Sequence, residues 1–108
     1  MKFTKQIDSF LKSHAKQCAY CGKPFYFGED KTIDHIVPKS DGTDEKSSNK
    51  VVVCSSCNYN KNAISLKQFR EQVNKENIKQ YLISFGDLQS CDGIYYAKAI
   101  KKKFRIKD

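Results

Sequence analysis

The sequence predicts a small α+β fold in which two short strands and a helix are tied together by a metal ion and flanked by further helices. Three observations support this prediction: apolar residues recur at helical spacing near both ends, β-branched residues cluster between them, and two Cys-x-x-Cys doublets enclose those clusters. The chain has 108 residues, and domains commonly contain about 100 to 150. We therefore expect one domain over residues 1–108, with a motif core at 18–63 and flanking helical segments at 1–17 and 64–108.

The amino-acid composition favours a polyanionic partner. Twenty lysines and arginines outnumber twelve acidic residues, which gives a formal charge of +8 and an isoelectric point near 9.3. Such a balance suits contacts with the phosphates of nucleic acid. A small basic domain can also be simply soluble, so charge alone does not identify the partner. A membrane partner is disfavoured because the sequence contains no long apolar run.

The N-terminal residues and the cysteines indicate a reducing compartment. The start of the chain contains no apolar stretch of signal length, so we expect the protein to stay in the cytoplasm. Five cysteines, in two doublets and one single, fit metal ligation better than a disulfide framework. Since only 39% of the residues are hydrophobic, a bound metal would add stability that burial of apolar surface does not supply.

The first predicted element is an amphipathic helix over residues 3–15. Its apolar positions follow helical spacing: Phe3, Ile7, Phe10, Leu11 and Ala15. His14 lies in the same segment and is expected to be a solvated helix residue, because no metal-ligand partner stands three or four residues after it. We interpret this helix as scaffold.

The central segment begins with a metal knuckle and a first strand. Gly22 follows the first cysteine doublet and can adopt a positive φ, which lets backbone amides approach the sulfurs. Residues 25–27 are aromatic and indicate a short strand or a core contact. A longer strand is predicted at 32–37, and Pro38 ends it because proline has no amide hydrogen for a sheet ladder.

A polar loop over residues 39–49 connects the first predicted strand to a second one. Residues 51–53 are valines, whose β-branched side chains favour a strand, and we expect this strand to pair antiparallel with the first. Ser55 or Ser56 can cap a short helix that follows. The predicted order is therefore strand, loop, strand and helix.

Residues 64–108 are predicted to be mainly helical. Residues 65–68 fit a capping box, and apolar residues resume between Tyr81 and Phe85 before Gly86. Residues 95–106 form a last helix or strand. The basic run at its end is equally consistent with a solvated helix face and with a tail that contacts DNA.

Two cysteine doublets form the strongest metal signal in the sequence. Cys18 and Cys21 are separated by two residues, as are Cys54 and Cys57, and this spacing lets four thiolates surround a zinc ion at about 2.3 Å. A redox role is the alternative, but the chain has no thioredoxin-like pattern. Four sulfur ligands leave no open position, so this zinc ion is expected to be structural. Cys91 belongs to neither doublet and is expected to be a free thiol.

The residues around these cysteines resemble a known signature. Residues 18–63 resemble the HNH endonuclease signature in its zinc-bound, four-cysteine form, through Asp34-His35-Ile36-Val37-Pro38, Asn49-Lys50-Val51, Cys54-Ser55-Ser56-Cys57-Asn58 and Lys61. They are also similar to the HNH domain of RNA-guided DNA nucleases. The resemblance implies a ββα-metal fold and metal-dependent cleavage of DNA that leaves 5′-phosphate and 3′-hydroxyl ends. Double-stranded DNA is the favoured substrate.

The resemblance also implies a role for each polar residue of the signature. His35 would be the general base, because imidazole can take a proton from water at neutral pH. Asp34 and Asn58 would bind Mg²⁺ or another divalent metal through oxygen atoms. An ideal strand turns Asp34 and His35 to opposite faces, and in the family a local distortion lets both serve one site. Asn49 would orient His35 through a backbone hydrogen bond.

Several alternatives accompany this assignment. Asn60 or Asn62 could share the role of Asn58. The three lysines that could contact DNA phosphates are Lys39, Lys50 and Lys61. A function of a different class is a zinc-stabilised nucleic-acid-binding module without catalytic activity, which would need neither Asp34 nor His35.

Overall fold

A computed structural model of the chain describes residues 4–26, 30–36, 47–61, 68, 71–88 and 91–107. Its helices and strands, in chain order, are α1 (Thr4–His14), β1 (Lys31–His35), β2 (Lys50–Cys54), α2 (Ser55–Lys61), α3 (Lys75–Gly86) and α4 (Cys91–Lys103). The predicted α+β fold is confirmed, since a ββα unit lies between one N-terminal helix and the C-terminal helices. Pro38, most of the predicted polar loop and residues 65–67 of the predicted capping box lie outside the described residues, whereas residues 68, 71 and 72 are helical.

The two strands form an antiparallel pair, as predicted. The register is one-to-one along β1 and sets Asp34 opposite Val51. β1 ends at His35, and one further hydrogen bond continues the ladder, from the amide of Ile36 to the carbonyl oxygen of Asn49 at 2.8 Å. Asn49 ends a short 3₁₀ turn that leads directly into β2. The turn and the ladder therefore join at the end of β1 that carries the proposed catalytic residues.

Polar groups from distant parts of the chain cover the outer edge of β2. The amide of Ala19 donates to the carbonyl oxygen of Val52 at 3.1 Å, and the amide of Cys54 donates to Cys18 Sγ at 3.3 Å. The amide of Val52 donates to the hydroxyl of Tyr81 in α3 at 3.0 Å. A strand at a sheet edge normally leaves such groups to solvent. Because they have protein partners here, all five residues of β2 can be buried.

Two buried tyrosines connect the C-terminal helices to this edge. Tyr96 of α4 donates to the carbonyl oxygen of Lys50 at 2.7 Å, and its hydroxyl oxygen lies 2.8 Å from that of Tyr81. Because each hydroxyl has one hydrogen, Tyr81 is the donor between the two tyrosines. Burial raises the pKa of both hydroxyls above the ordinary value, so both stay protonated.

α1 is fixed to the hairpin by apolar packing and by two lysines. Leu11 of α1 is fully buried in the core. The ammonium group of Lys50 lies 2.9 Å from the carboxylate of Asp8, and Lys31 Nζ donates to the carbonyl oxygen of Lys12 at 2.5 Å. One lysine belongs to each strand, so α1 is attached to both.

His14 was expected to be a solvated helix residue. It lies in α1 as predicted, but it is half-buried. Its ring lies 4.9 Å from that of Phe10 and 6.5 Å from that of Phe85, measured between ring centroids. Phe85 belongs to α3. The spacing of residues within one helix cannot reveal which other helix will cover it.

The flanking helices share one buried apolar cluster with the ββα unit. The C-terminal helices contribute Ile78, Tyr81, Leu82, Phe85, Tyr96, Ala97 and Ile100, and Phe104 follows them. α4 also decides between the helix and the strand that the sequence allowed for residues 95–106. No helix among the described residues is long and apolar enough to cross a bilayer.

α3 begins in a polar stretch that lacks the apolar spacing of a helix buried on one side. Asn74 caps this helix, because its side-chain oxygen accepts hydrogen bonds from the amides of Glu76 at 2.9 Å and Asn77 at 3.2 Å. An asparagine cap satisfies amides that have no partner within the helix. The cap fixes the first turn of α3, which also carries Asn77 to the first cysteine doublet.

Candidate metal centre and active site

The four cysteine sulfurs lie together, as predicted from the two doublets. The Sγ atoms of Cys18, Cys21, Cys54 and Cys57 are all within 4.8 Å of one another. The sulfurs of Cys21 and Cys54 are 3.9 Å apart. A zinc ion with four bonds of about 2.3 Å sets its sulfurs about 3.8 Å apart along the edges of a tetrahedron. The cluster therefore has the size of a tetrahedral zinc site and could hold this ion.

Backbone amides surround one of these sulfurs. Cys18 Sγ accepts hydrogen bonds from the amides of Cys21 at 3.5 Å and Cys54 at 3.3 Å. Gly22, at φ +79°, donates its amide to the carbonyl oxygen of Cys18 at 3.0 Å and closes the turn. A Cβ at this position would also lie 3.0 Å from the side-chain oxygen of Asn77. Glycine therefore satisfies both the turn and the close approach of α3.

Burial acts against the ionisation of three of the four thiols, those of Cys18, Cys54 and Cys57. Burial raises the pKa of the Cys18 and Cys57 thiols. Burial also acts against ionisation of Cys54, but hydrogen bonds from the Cys57 amide and the neighbouring thiols outweigh it and lower the pKa of Cys54. Four thiolates at these distances would repel one another, and a divalent cation would remove that repulsion. The donor set therefore suits a metal ion better than four charged sulfurs alone.

α2 begins directly after the second strand, and an aspartate from outside the helix caps it. The carboxylate of Asp30 accepts hydrogen bonds from the hydroxyl of Ser55 and from its amide, the latter at 3.1 Å. These bonds lower the pKa of Asp30. The predicted helix is confirmed, but the expectation that Ser55 or Ser56 supplies the capping acceptor is wrong. The acceptor comes from the turn before β1, which fixes α2 against the hairpin.

Asp34 is buried, and its carboxylate is held by a residue that lies between the two cysteines of the first doublet. Asp34 is 7% exposed, and the hydroxyl of Tyr20 donates to Asp34 Oδ2 at 2.5 Å. Burial and the negative charge of Asp34 raise the pKa of Tyr20 well above its ordinary value, so the hydroxyl stays protonated. A carboxylate has about four acceptor positions, so this hydrogen bond is compatible with a role of Asp34 as a metal ligand.

Asn58 lies in α2 beside the first strand. Its Nδ2 donates to the hydroxyl of Thr32 at 3.1 Å and approaches the carbonyl oxygen of Ile33 at 3.4 Å. Thr32 and Asp34 are two residues apart in β1 and share a face of the hairpin. The two contacts orient the amide group of Asn58, and Oδ1 is the atom that it can offer to a ligand.

His35 is the last residue of β1 and is half-buried. The ladder is regular up to this residue, so the described part of β1 contains no bulge that would turn Asp34 and His35 to one face. Asn49 is fully buried, and its carbonyl oxygen accepts from the amide of Ile36. This backbone hydrogen bond joins Asn49 to the residue after His35, and the orientation of His35 by Asn49 stays a prediction.

Lys50 does not have the exposure that a phosphate contact requires. Its side chain is 0% exposed and its ammonium group pairs with Asp8 of α1. The prediction that Lys50 contacts DNA phosphate is therefore wrong. Lysine is almost never fully buried unless it is paired, and the sequence could not reveal this pairing because Asp8 is 42 positions away.

The remaining candidates for phosphate and metal contacts are incompletely described. Lys39 and Asn62 lie outside the described residues, and Lys61 is described only by its backbone, at the end of α2. Asn60 is exposed.

Three residues around the site were not predicted from the sequence. Tyr20 holds Asp34, Asp30 caps α2, and Asn77 of α3 donates to the carbonyl oxygen of Tyr20 at 2.9 Å. Each of them acts on a segment that is distant in sequence. Only Tyr20 had a local signal, since it is an aromatic residue between two predicted metal ligands.

Comparison with known proteins agrees with this geometry. The model of the HNH endonuclease family matches residues 18–63. The CRISPR-associated endonuclease Cas9 of Corynebacterium diphtheriae is 28% identical over 98 residues, which cover 82% of this chain and 9% of that protein.

A crystal structure is similar over nearly the whole chain. The Type II-C Cas9 enzyme from Actinomyces naeslundii superposes with a TM-score of 0.65 and 21% identity, covering 97% of this chain and 13% of that one. At this identity the likeness shows the fold, and the chain spans only a small part of either relative. The family match and the ββα unit with its four clustered cysteines coincide in residues 18–63, which are thus similar to the HNH endonuclease family.

Proposed function

We propose that the chain is a metal-dependent nuclease unit that hydrolyses phosphodiester bonds of DNA. The observation that carries this proposal is that β1 contains Asp34, whose carboxylate is buried, and His35, while the amide of Asn58 donates to Thr32 of the same strand. The family match over the same residues supports it. A formal charge of +8 suits a polyanionic substrate.

Asp34 and Asn58 fit the requirements for ligands of Mg²⁺ or another divalent metal. Both offer oxygen atoms, which such hard cations prefer. When bound, the ion would supply positive charge to the phosphoryl oxygens and to the leaving oxygen. The protein contributes orientation: Tyr20 holds the carboxylate of Asp34, and Thr32 and Ile33 hold the amide of Asn58.

His35 is the proposed general base. Its imidazole takes a proton from the attacking water, whose oxygen bonds to phosphorus as the bond between phosphorus and the 3′ oxygen breaks. The departing 3′ oxygen takes a proton from solvent, which leaves 5′-phosphate and 3′-hydroxyl ends. The hydrogen bond from Ile36 to Asn49 restrains the backbone beside His35. This restraint limits the positions that the imidazole can adopt.

Double-stranded DNA is the proposed substrate, and zinc is the proposed ion of the four-cysteine cluster. The curated relative is named an endonuclease, and the basic charge of this chain suits a phosphate backbone. Lys39 and Lys61 remain proposed phosphate contacts, whereas the buried Lys50 does not. The cytoplasm remains the proposed location.

Nicking of supercoiled plasmid in the presence of Mg²⁺ tests the nuclease proposal. Wild-type protein should produce nicked plasmid, and His35→Ala should be slower by about 100- to 10,000-fold, the usual contribution of acid–base catalysis. His14→Ala is the matched control, because His14 is the other histidine of the chain and lies in α1. It should cleave at the wild-type rate. Equal cleavage by wild type and His35→Ala would exclude His35 as the base.

Metal analysis tests the zinc assignment separately. Protein purified without added zinc should contain about one equivalent of zinc per chain, because a structural site binds its ion tightly during folding. Folded, active protein without zinc would contradict the assignment.

A zinc-stabilised nucleic-acid-binding module without catalytic activity is the second candidate. One observation favours it: the regular ladder of β1 and β2 turns Asp34 and His35 to opposite faces. Such a module would bind DNA, cleave none with any divalent metal, and keep its DNA affinity in Asp34→Ala. Cleavage that is lost in both Asp34→Ala and His35→Ala would exclude this candidate.

A further inference from the structure

We propose that Tyr20 is a positioning residue of the active site. Its hydroxyl holds the carboxylate of Asp34, and through Tyr20 the four-cysteine cluster influences how tightly the site binds its divalent metal. This inference rests on the proposed function, in which Asp34 is a ligand of that metal.

The contact between the two side chains is short and protected from water. The hydroxyl oxygen of Tyr20 lies 2.5 Å from Asp34 Oδ2, and the two residues are 8% and 7% exposed. Hydrogen bonds to an ionised acceptor are stronger than those between neutral groups. Because little water reaches the pair, the hydroxyl is a persistent restraint on the orientation of the carboxylate.

Tyr20 is itself held on several sides. It lies between Cys18 and Cys21, so an ion bound by the cluster would restrain the backbone before and after it. Its carbonyl oxygen accepts from Asn77 of α3 at 2.9 Å, and the preceding residue, Ala19, donates to β2. The position of the hydroxyl is therefore set by the cysteine cluster, by α3 and by the hairpin together.

Such a restraint affects metal affinity through the geometry of the ligand. A small cation such as Mg²⁺ demands near-ideal octahedral geometry, so an aspartate that rotates freely must be ordered when the ion binds. Partners that orient a metal ligand typically change metal affinity or activity by 10- to 100-fold when they are removed. Tyr20 has this relation to Asp34, from a segment whose evident role is to form the four-cysteine cluster.

Titration with Mn²⁺, followed by the electron paramagnetic resonance of the free ion, measures metal binding without relying on cleavage. In the zinc-loaded 108-residue chain we expect Tyr20→Phe to bind Mn²⁺ about tenfold more weakly than wild type, with zinc still at about one equivalent. Plasmid nicking by Tyr20→Phe should then recover toward the wild-type rate at saturating Mn²⁺. Recovery at high metal distinguishes a positioning role from general damage to the fold.

Tyr96→Phe is the matched control, because it also removes a buried and hydrogen-bonded tyrosine hydroxyl, but one that contacts Lys50 and Tyr81 instead of Asp34. It should bind Mn²⁺ with wild-type affinity. Equal Mn²⁺ affinity in Tyr20→Phe and wild type would overturn the proposal, as would equal weakening in both tyrosine variants.

Asp34→Ala separates failure of this inference from failure of the proposed function. If Asp34→Ala loses Mn²⁺ binding while Tyr20→Phe keeps it, only the role of Tyr20 is overturned. If Asp34→Ala binds Mn²⁺ like wild type, the metal site fails and the inference fails with it. Should Tyr20→Phe not fold, Asn77→Ala replaces it, since loss of the bond to the Tyr20 carbonyl is expected to weaken Mn²⁺ binding a few-fold and unchanged binding would overturn the proposal.

Discussion

The two strands of the hairpin have equal length but differ in how deeply their residues are buried. In β1 only Asp34 is buried, whereas all five residues of β2 are buried. β1 carries the residues proposed to act on the substrate. β2 carries three valines of the core and Cys54. A strand that presents reactive groups cannot bury all of them, so its partner strand provides the attachment to the core.

The outer edges of the strands differ in the same way. Along β2, an amide, a cysteine sulfur and two tyrosine hydroxyls are bonded to the backbone groups that face away from β1. Along β1, Asn58 approaches the carbonyl oxygen of Ile33. The difference separates scaffold from site, so substitutions around β2 should change stability and substitutions around β1 should change metal binding and cleavage.

The largest effect is expected at the end of β2, in Cys54→Ser. Loss of one zinc ligand removes much of a binding free energy that is about 10–16 kcal/mol in small structural zinc sites. We expect the variant to lose zinc and its cooperative thermal unfolding, measured by metal analysis and circular dichroism. Cys91→Ser is the control and should retain both. A stable, cooperatively folded Cys54→Ser protein would break the assignment of β2 as the metal-anchored scaffold.

Tyr81→Phe should have the next largest effect, and on stability alone. It leaves the amide of Val52 without its acceptor, and a buried unsatisfied donor costs about 1–3 kcal/mol of unfolding free energy. Urea denaturation measures this loss, and the rate of plasmid nicking at 25 °C should not change. Tyr95→Phe, at an exposed position of α4, should change the stability by less than about 0.5 kcal/mol. A cleavage defect in Tyr81→Phe without loss of stability would contradict the comparison.

Thr32→Val tests β1, where a substitution should change metal binding more than stability. The hydroxyl of Thr32 donates to the carbonyl oxygen of Val53 at 2.8 Å and accepts from Asn58. Its removal should cost only about 1 kcal/mol of stability and should weaken Mn²⁺ binding a few-fold because Asn58 loses its support. Thr32→Ser, which keeps the hydroxyl, should retain Mn²⁺ affinity. If both variants bind Mn²⁺ alike, Asn58 does not depend on this contact.

Lys50→Met should have the smallest effect, both on stability and on DNA binding. Removing one partner of a buried ion pair is costly when the other charge stays buried and unpaired, and this cost is small here because Asp8 is about one-third exposed and can be solvated. DNA affinity measured against salt concentration should keep its wild-type slope. Lys61→Met is the contrasting variant, since loss of one phosphate contact should reduce the slope by about 0.9. A reduced slope in Lys50→Met would restore Lys50 as a DNA contact.

Much of the scaffold could be predicted because its signals are local. The doublets at Cys18 and Cys54, the valine run and the helical spacing of residues 3–15 each depend on neighbours within a few positions. The helix of residues 75–86 was only partly anticipated, because its first turns are polar and their stability comes from the Asn74 cap and from tertiary packing.

The sequence by itself determined the chemical groups of this protein and their order along the chain, including four sulfurs, a carboxylate beside an imidazole, and an amide after the last cysteine. Tertiary structure alone decided their partners. Tyr20 reaches Asp34 across 14 positions, Asp8 reaches Lys50 across 42, and Asn77 reaches Tyr20 across 57. Residue spacing specifies which groups share a helix or strand face, whereas contacts between distant segments depend on how those elements pack, and packing depends on the whole buried core.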